Sequence, residues 1–385
     1  MNTGIYVQVP FCQTKCTYCN FHTGVFSQDL YAPYVDAVVE EIKEYPRLLS
    51  ENGISEVPAN VVDTVYVGGG TPSLLNPQSL RTILDAIRSA FPNKLEEVTL
   101  EADPETITLE KAAAWRAAGF DRISMGLQSF RDTELKAAGR MHRREDIFNA
   151  MRNLRDAGFQ NISADLIAGL PHQTETSWDD SVGELLALRP EHISIYLMEI
   201  DEGSRLGLEV LNGGKKYSAA ALPSDDAMAG FYERACAQLS AAGYGHYEIS
   251  NWGLAGCESR HNLKYWRREP YFGFGAGAHS FNGKQRWANA HDPAAYAASV
   301  KQGLFPFEQV ERVTPEQAVE EELFLGLRQL AGINLAEIES KYGTKLGPRV
   351  EELRSQGLLE WNGPLLRLAP DRLAVSNEVF VNLLD

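Results

Sequence analysis

Six short apolar runs, at residues 4–9, 63–68, 97–103, 122–128, 161–168 and 192–198, alternate with helical patterns through the first half of the chain. Several, such as DTVYVGG and HISIYLM, are near-continuous apolar stretches, the composition of parallel strands covered by helices. Between them, Leu30, Tyr34, Val38 and Ile42 recur every four residues, and Leu80, Ile83, Leu84 and Ile87 share one helical face. Gly119, Gly158 and Gly243 each follow a helix end, where a left-handed residue closes the last turn. Alternation of this length builds either a βα barrel or an open doubly wound sheet. Six units fall short of a closed eightfold barrel, so the expected fold is α/β, an open partial (β/α)6 barrel.

The remainder reads differently. A seventh strand-like stretch, residues 244–252, leads into an irregular region rich in glycine and aromatics, HNLKYWRREPYFGFGAGAHSF. Beyond about residue 305, Thr314-Pro315-Glu316-Gln317 is a capping box with proline at the first helical position. Val319, Leu323, Phe324, Leu327 and Leu330 give the helix that follows its apolar face. Two shorter helices (334–342 and 346–356) and a hairpin (358–368) complete a winged-helix-like α+β module. The expected division is 1–243 for the barrel, 244–305 for its extension and 306–385 for the small C-terminal domain, which suits a chain of 385 residues.

Net charge excludes some partners. At −16 the chain lacks the basic footprint of a nonspecific nucleic-acid binder, and the C-terminal module is expected to pack or dock rather than read DNA. No run of about 18 apolar residues is present, so no membrane-spanning helix is expected. The start, MNTGIYVQVPFC, has no basic or apolar leader region. A cytoplasmic location follows as the expectation, and reduced thiols survive there.

Cys12, Cys16 and Cys19 form a Cys-x3-Cys-x2-Cys loop directly after the first strand. Iron–sulfur cubanes normally take four thiolates, so three leave one iron open to an outside ligand. A closed structural zinc site of Cys12, Cys16, Cys19 and His22 is the alternative that spacing allows. Cys236 and Cys257 lie far away in sequence and read as packing residues.

Other polar residues converge on the same sheet edge. Gly68-Gly69-Gly70-Thr71-Pro72 ends the second strand, Glu101 the third and Gln128 the fourth; Asp165 sits within the fifth, and Arg140 follows the fourth after a helix. In barrel-type folds chemistry gathers at the carboxyl edge, and consecutive glycines let backbone amides approach a ligand closely. Taken singly, each has an ordinary explanation as a turn, a cap or a solvated side chain.

The motifs YVQVPFCQTKCTYCNF, YVGGGTP, LEADPE, RISMGLQSF, GRMH and ADLIAGLPHQT together resemble those of radical S-adenosylmethionine (SAM) proteins, over roughly residues 4–300. Within that superfamily the chain is similar to the oxygen-independent coproporphyrinogen dehydrogenase group. The resemblance implies that Cys12, Cys16 and Cys19 ligate a [4Fe-4S] cluster whose fourth iron is chelated by SAM. It implies that Tyr6, Gly69 and Glu101 contact this SAM, and that Tyr18, Gly70, Thr71, Gln128, Arg140 and Asp165 match residues holding a second SAM in the dehydrogenases.

Two subfamilies separate on small differences. The dehydrogenases carry a further cysteine two residues beyond the third cluster cysteine and an N-terminal extension; here that position is Phe21, and eleven residues precede Cys12. The chain instead resembles HemW-type heme chaperones, which lack that cysteine and share an HNxxYW motif, here His261-Asn262-Leu263-Lys264-Tyr265-Trp266. Asn20 departs from the aspartate usual in those chaperones. Histidine is a common ligand of heme iron, which makes His261 the candidate heme ligand, with His246, His279 and Cys257 as rivals; a core histidine among packed aromatics is the plainer reading. The resemblance implies heme and a heme-acceptor protein as partners, a membrane-bound respiratory hemoprotein being one candidate, and it allows a homodimer. Dehydrogenase activity remains the alternative function.

Overall fold

The computed structural model describes residues 2–54, 61–304 and 307–384. Its centre is a run of six parallel strands in chain order: β1 (Asn2–Val9), β2 (Val61–Gly69), β3 (Asn93–Ala102), β4 (Arg122–Gln128), β5 (Asn161–Ala168) and β6 (His192–Leu197). Parallel neighbours require a crossover between each pair, and the helices Tyr31–Glu51, Pro77–Ala90, Leu109–Ala118, Arg144–Asp156 and Glu175–Leu188 lie in those intervals. Asn76, Thr108 and Thr174 accept backbone amides at the start of three of these helices. Gly119, Gly158 and Gly243 take φ of +106°, +87° and +87°, the left-handed closures expected.

The sheet stays open. Beyond β6 lies a hairpin of β7 (Gly245–Glu248) and β8 (Asn251–Gly253), with β8 antiparallel to β6. The expected single strand at 244–252 is therefore two short ones. Tyr232 donates its hydroxyl to the Ile249 carbonyl in the turn between them.

On the other side, β9 (Tyr271–Phe274) runs parallel to β1 and is followed by antiparallel β10 (His279–Phe281), β11 (Gln285–Asn289) and β12 (Phe307–Arg312). The Gly/aromatic region thus extends the sheet, which the sequence did not announce. The expected boundary between residues 305 and 306 lies outside the described residues.

One apolar core spans the strands and helices, with Val7, Val67, Leu100, Met125 and Ile195 fully buried. The C-terminal helices run Pro315–Gly326, Leu335–Tyr342 and Gly347–Ser355, with the hairpin β13 (Leu359–Asn362) and β14 (Leu365–Leu368). Thr314 and Gln317 make the reciprocal capping box. An unanticipated last helix, Ser376–Leu384, sets Phe380 edge-on against Phe324. The module is sewn to the hairpin beside β6 by Ile249 N–H to the Arg328 carbonyl (3.1 Å) and Leu330 N–H to the Tyr247 carbonyl (3.1 Å). Among the described residues no helix is long and apolar enough to cross a membrane.

Candidate functional site

Backbone bonds assemble the carboxyl edge before any side chain is considered. Gly70 N–H donates to the Val9 carbonyl (2.8 Å) and Thr71 N–H to that of Phe11 (2.7 Å), locking the glycine turn after β2 onto the cysteine loop after β1. That loop is pinned across the sheet edge by Thr17 N–H to the Ala138 carbonyl (3.0 Å) and Thr14 Oγ1 to that of Gly139 (3.2 Å). A Cβ on Gly70 would stand 2.6 Å from the Phe11 carbonyl oxygen and 2.9 Å from Cys12 Sγ, so glycine is required for this approach.

Cys12, Cys16 and Cys19 are free thiols at intermediate exposure. Arg140 brings a guanidinium nitrogen to 3.6 Å from Cys16 Sγ, donates to the Gly126 carbonyl at 3.0 Å, and pairs with Asp103. Asp103 also accepts the Thr71 hydroxyl (3.0 Å). It joins the two halves of the edge, and it lies in the LEADPE motif beside the residues singled out from sequence. Among the described residues no three His, Cys, Asp or Glu groups draw together around a point where a single ion would sit. His22 instead stacks on His291, ring centroids 4.0 Å apart, which argues against the four-ligand zinc alternative.

A cavity of about 390 Å³ opens beside the cysteine loop, lined by Tyr6, Gln8, Gly69 and Glu101 on the β1–β3 side and by Phe21, His22, Tyr265, Tyr271, Gly277 and His279 on the other. Glu101 accepts the Tyr66 hydroxyl (2.8 Å) and the Gly69 N–H (2.9 Å). Burial raises its pKa to about 7 in spite of those two donors. Tyr66, a second residue that sequence reasoning missed, also stacks on Tyr6 at 6.1 Å.

The remaining candidates do not line this cavity. Gln128 takes a left-handed φ of +65° at the end of β4, and its Oε1 is buried with no partner among the described residues. An unsatisfied buried acceptor in a strained backbone is what a ligand site leaves open. Asp165 points among Ser124 and Ser163 (3.4 and 3.3 Å), and burial raises its pKa. Tyr18 packs with Leu206, Met198, Ile167 and Leu170 in a small satellite core. Of the nine residues matched to SAM contacts, then, Tyr6, Gly69 and Glu101 line the cavity, while Gly70, Thr71 and Arg140 pack on the cysteine loop or the strand end that leads into it.

His261 sits elsewhere. It is the second residue of the helix Arg260–Trp266, which packs on β2, and is 1% exposed. Its Nδ1 lies 3.0 Å from Thr64 Oγ1, its Nε2 lies 2.9 Å from the Tyr265 hydroxyl, and its N–H donates to Glu97 (3.0 Å). Burial, with Lys264 and Arg122 nearby, lowers its pKa to about 3, so it is neutral. Both ring nitrogens are thus engaged, and Tyr265 is the motif residue that reaches the cavity. Lys264, buried as well, pairs with Asp63 at 2.9 Å. Of the rivals, His246 is stacked on Trp252 and lies 3.2 Å from the Ile249 carbonyl, Cys257 is half-buried, and His279 faces the cavity.

Asn20 explains itself locally. Its amide donates to Asp201 (2.8 Å), where an aspartate would oppose two carboxylates.

Comparison with known proteins agrees with this architecture. The model of the Radical SAM superfamily matches residues 6–185, and that of the HemN C-terminal domain matches residues 313–371. Heme chaperone HemW of Bacillus subtilis is 34% identical over 381 residues, covering 97% of both chains. Heme chaperone HemW of Mycobacterium tuberculosis is 35% identical, covering 95% of this chain and 90% of its own. A bovine mitochondrial radical S-adenosyl methionine domain-containing protein 1 is 32% identical, covering 99% of this chain and 87% of its own. The solved structure of coproporphyrinogen III oxidase (HemN) from Escherichia coli superposes with a TM-score of 0.81 at 22% identity, over 100% of this chain and 89% of that one, which establishes the shared fold. The radical SAM family implies a [4Fe-4S] cluster and SAM. Three free thiols on one loop, a glycine turn that would clash if it bore side chains, and the unpartnered Gln128 acceptor suit those groups. Joined by fold to HemN and by identity along nearly its whole length to the chaperones, the chain belongs to the HemW family of radical SAM proteins.

Proposed function

We propose that this protein binds heme and hands it to an acceptor hemoprotein, as the names of its HemW relatives suggest for them, and that it does not act as a coproporphyrinogen dehydrogenase. The carrying observation is Phe21: it is 67% exposed and forms a wall of the cavity, at the position where the dehydrogenase resemblance calls for a cysteine. Cys12, Cys16 and Cys19 would hold a [4Fe-4S] cluster. Tyr6, Gly69 and Glu101 would bind SAM, and Tyr18, Gly70, Thr71, Gln128, Arg140 and Asp165 form the matching set for a second. Bound there, the cluster would supply one-electron chemistry to SAM.

The chain's own residues do the positioning. Arg140 places a cation beside Cys16, and Asp103 fixes both Arg140 and the glycine turn. Tyr66 and Gly69 orient Glu101 toward the cavity. In this reading residues 1–243, 244–305 and 306–385 work as barrel, extension and docking module, a homodimer is the state that cluster and SAM would stabilise, and the site of action is the cytoplasm, at an acceptor that includes membrane-bound respiratory hemoproteins.

The test mixes hemin-loaded protein with an apo-hemoprotein and follows the acceptor's Soret band. In parallel, cluster- and SAM-loaded protein under reduction is assayed for carbon dioxide from coproporphyrinogen III. Transfer without decarboxylation is expected. Decarboxylation at a substantial rate would restore the dehydrogenase reading.

A further inference from the structure

The chain has eight histidines, and the structure sorts them by what their ring nitrogens are doing. His142 is buried with Nε2 3.0 Å from the Leu127 carbonyl, and His192 is bonded at both nitrogens, to Ser163 and Tyr247. His246 and His261 are held as described above. His172 sits on a turn at φ +71°. The other three gather at one place. His22 and His279 line the cavity, both exposed, and His291 stacks against His22. His279 is electrostatically coupled to both of the others.

This gathering depends on the backbone. Gly277, at φ +73°, leaves room for His291, whose Nδ1 would stand 3.2 Å from a Cβ there. That nitrogen is buried and without a partner among the described residues, and no hydrogen bond engages the His22 or His279 rings among them. His279 begins β10, so its position is set by the sheet, whereas His22 rides on the cysteine loop. A site carried on a strand is the more sharply defined of the two.

Which ligand fits such a group is decided by counting donors. Among the described residues no three donors converge on a bare ion. Heme iron already carries four porphyrin nitrogens, so it asks for only one or two from the protein, from a neutral imidazole. Phe21 and Tyr271 flank the same opening with flat apolar surface. Lys15, in no ion pair among the described residues and near enough to His22 to add to the burial and the His291 ring that already disfavour its protonation, offers a cation for a propionate. At about 390 Å³ the cavity is at the small end for ligand sites, so a porphyrin would lie across the mouth with the inner end left to a smaller ligand.

We propose that His279, with His22 beside it, supplies the axial nitrogen to the heme iron at the mouth of this cavity, and that His261 acts only as a positioning residue through Tyr265. The assignment rests on the heme reading and names its ligand.

The test is an anaerobic hemin titration of the cluster-loaded protein, read by Soret absorbance and by the spin state in electron paramagnetic resonance. It compares the unaltered chain with His279→Ala, His279→Gly and His22→Ala, with the cluster absorption and circular dichroism as controls for folding. His279→Ala is expected to weaken hemin binding by at least the about tenfold that even an outer partner of a metal ligand is worth, and to change the spin state. Added imidazole is expected to restore the original spectrum in His279→Gly, an effect that a merely structural role would not produce. His22→Ala is expected to lose less. Unchanged affinity and spectrum in His279→Ala would overturn the assignment while leaving the heme reading standing. Absence of saturable binding in the unaltered chain would remove both.

Discussion

The core behind the cavity and the cavity's mouth use histidine in opposite ways. Behind Tyr265, His261 is buried, bonded at both ring nitrogens, and backed by a buried Lys264–Asp63 pair. At the mouth, His22 stacks on His291 and His279 stands near enough to feel both, with ring nitrogens left over. The core histidine lies in the most recognisable motif of the region, whereas His22 and His279 were named from sequence only as alternative ligands and His291 not at all. The motif thus marks where side chains are locked together, with Tyr265 its one residue at the cavity.

Four perturbations would sharpen or break that contrast. The largest should be Lys264→Ala, which strands the Asp63 carboxylate in a buried site: a loss of about 3–5 kcal/mol in urea unfolding. A value near zero would mean that this core is not locked. Next, His261→Ala should cost about 1–3 kcal/mol by leaving the Thr64 and Tyr265 hydroxyls unpartnered, again measured by denaturant.

A third effect is one of pH. Glu101 is raised to about 7 by burial, from an unfolded value near 4.5, so the stability its neutral form contributes is complete below that unfolded value and is lost as pH rises through 7. The unaltered chain should lose about 1 kcal/mol more than Glu101→Gln between pH 6 and 8. Equal slopes would show that Tyr66 and Gly69 keep the carboxylate ionised.

The smallest effect belongs to the mouth. His279→Ala should alter stability by no more than about 0.5 kcal/mol, as expected of an exposed side chain without bonds. A loss as large as that for His261 would dissolve the distinction.

Much of this was legible in the sequence for physical reasons. The six central strands announced themselves because parallel strands buried on both faces are apolar throughout, and β4 and β5 fall at the expected residues. The cysteine loop and the glycine turn were readable because their chemistry permits few substitutes. The extension of the sheet was not: β9 to β12 are short and interrupted by glycines, so no period establishes itself. Asp103 and Tyr66 escaped because nothing in a single acidic or aromatic residue reveals that it bridges two turns or orients a carboxylate. His22 and His279 were named singly, but their gathering with His291 was not legible, since it forms only once β10 and β11 pair and bring the later two beside the cysteine loop.

The most direct measurement is diethyl pyrocarbonate footprinting of each histidine by mass spectrometry, with and without hemin. Labelling of His22 and His279 that hemin suppresses, with His261 unlabelled in both states, is the predicted result. Labelling of His261 that hemin suppresses, with no protection at His279, would contradict it.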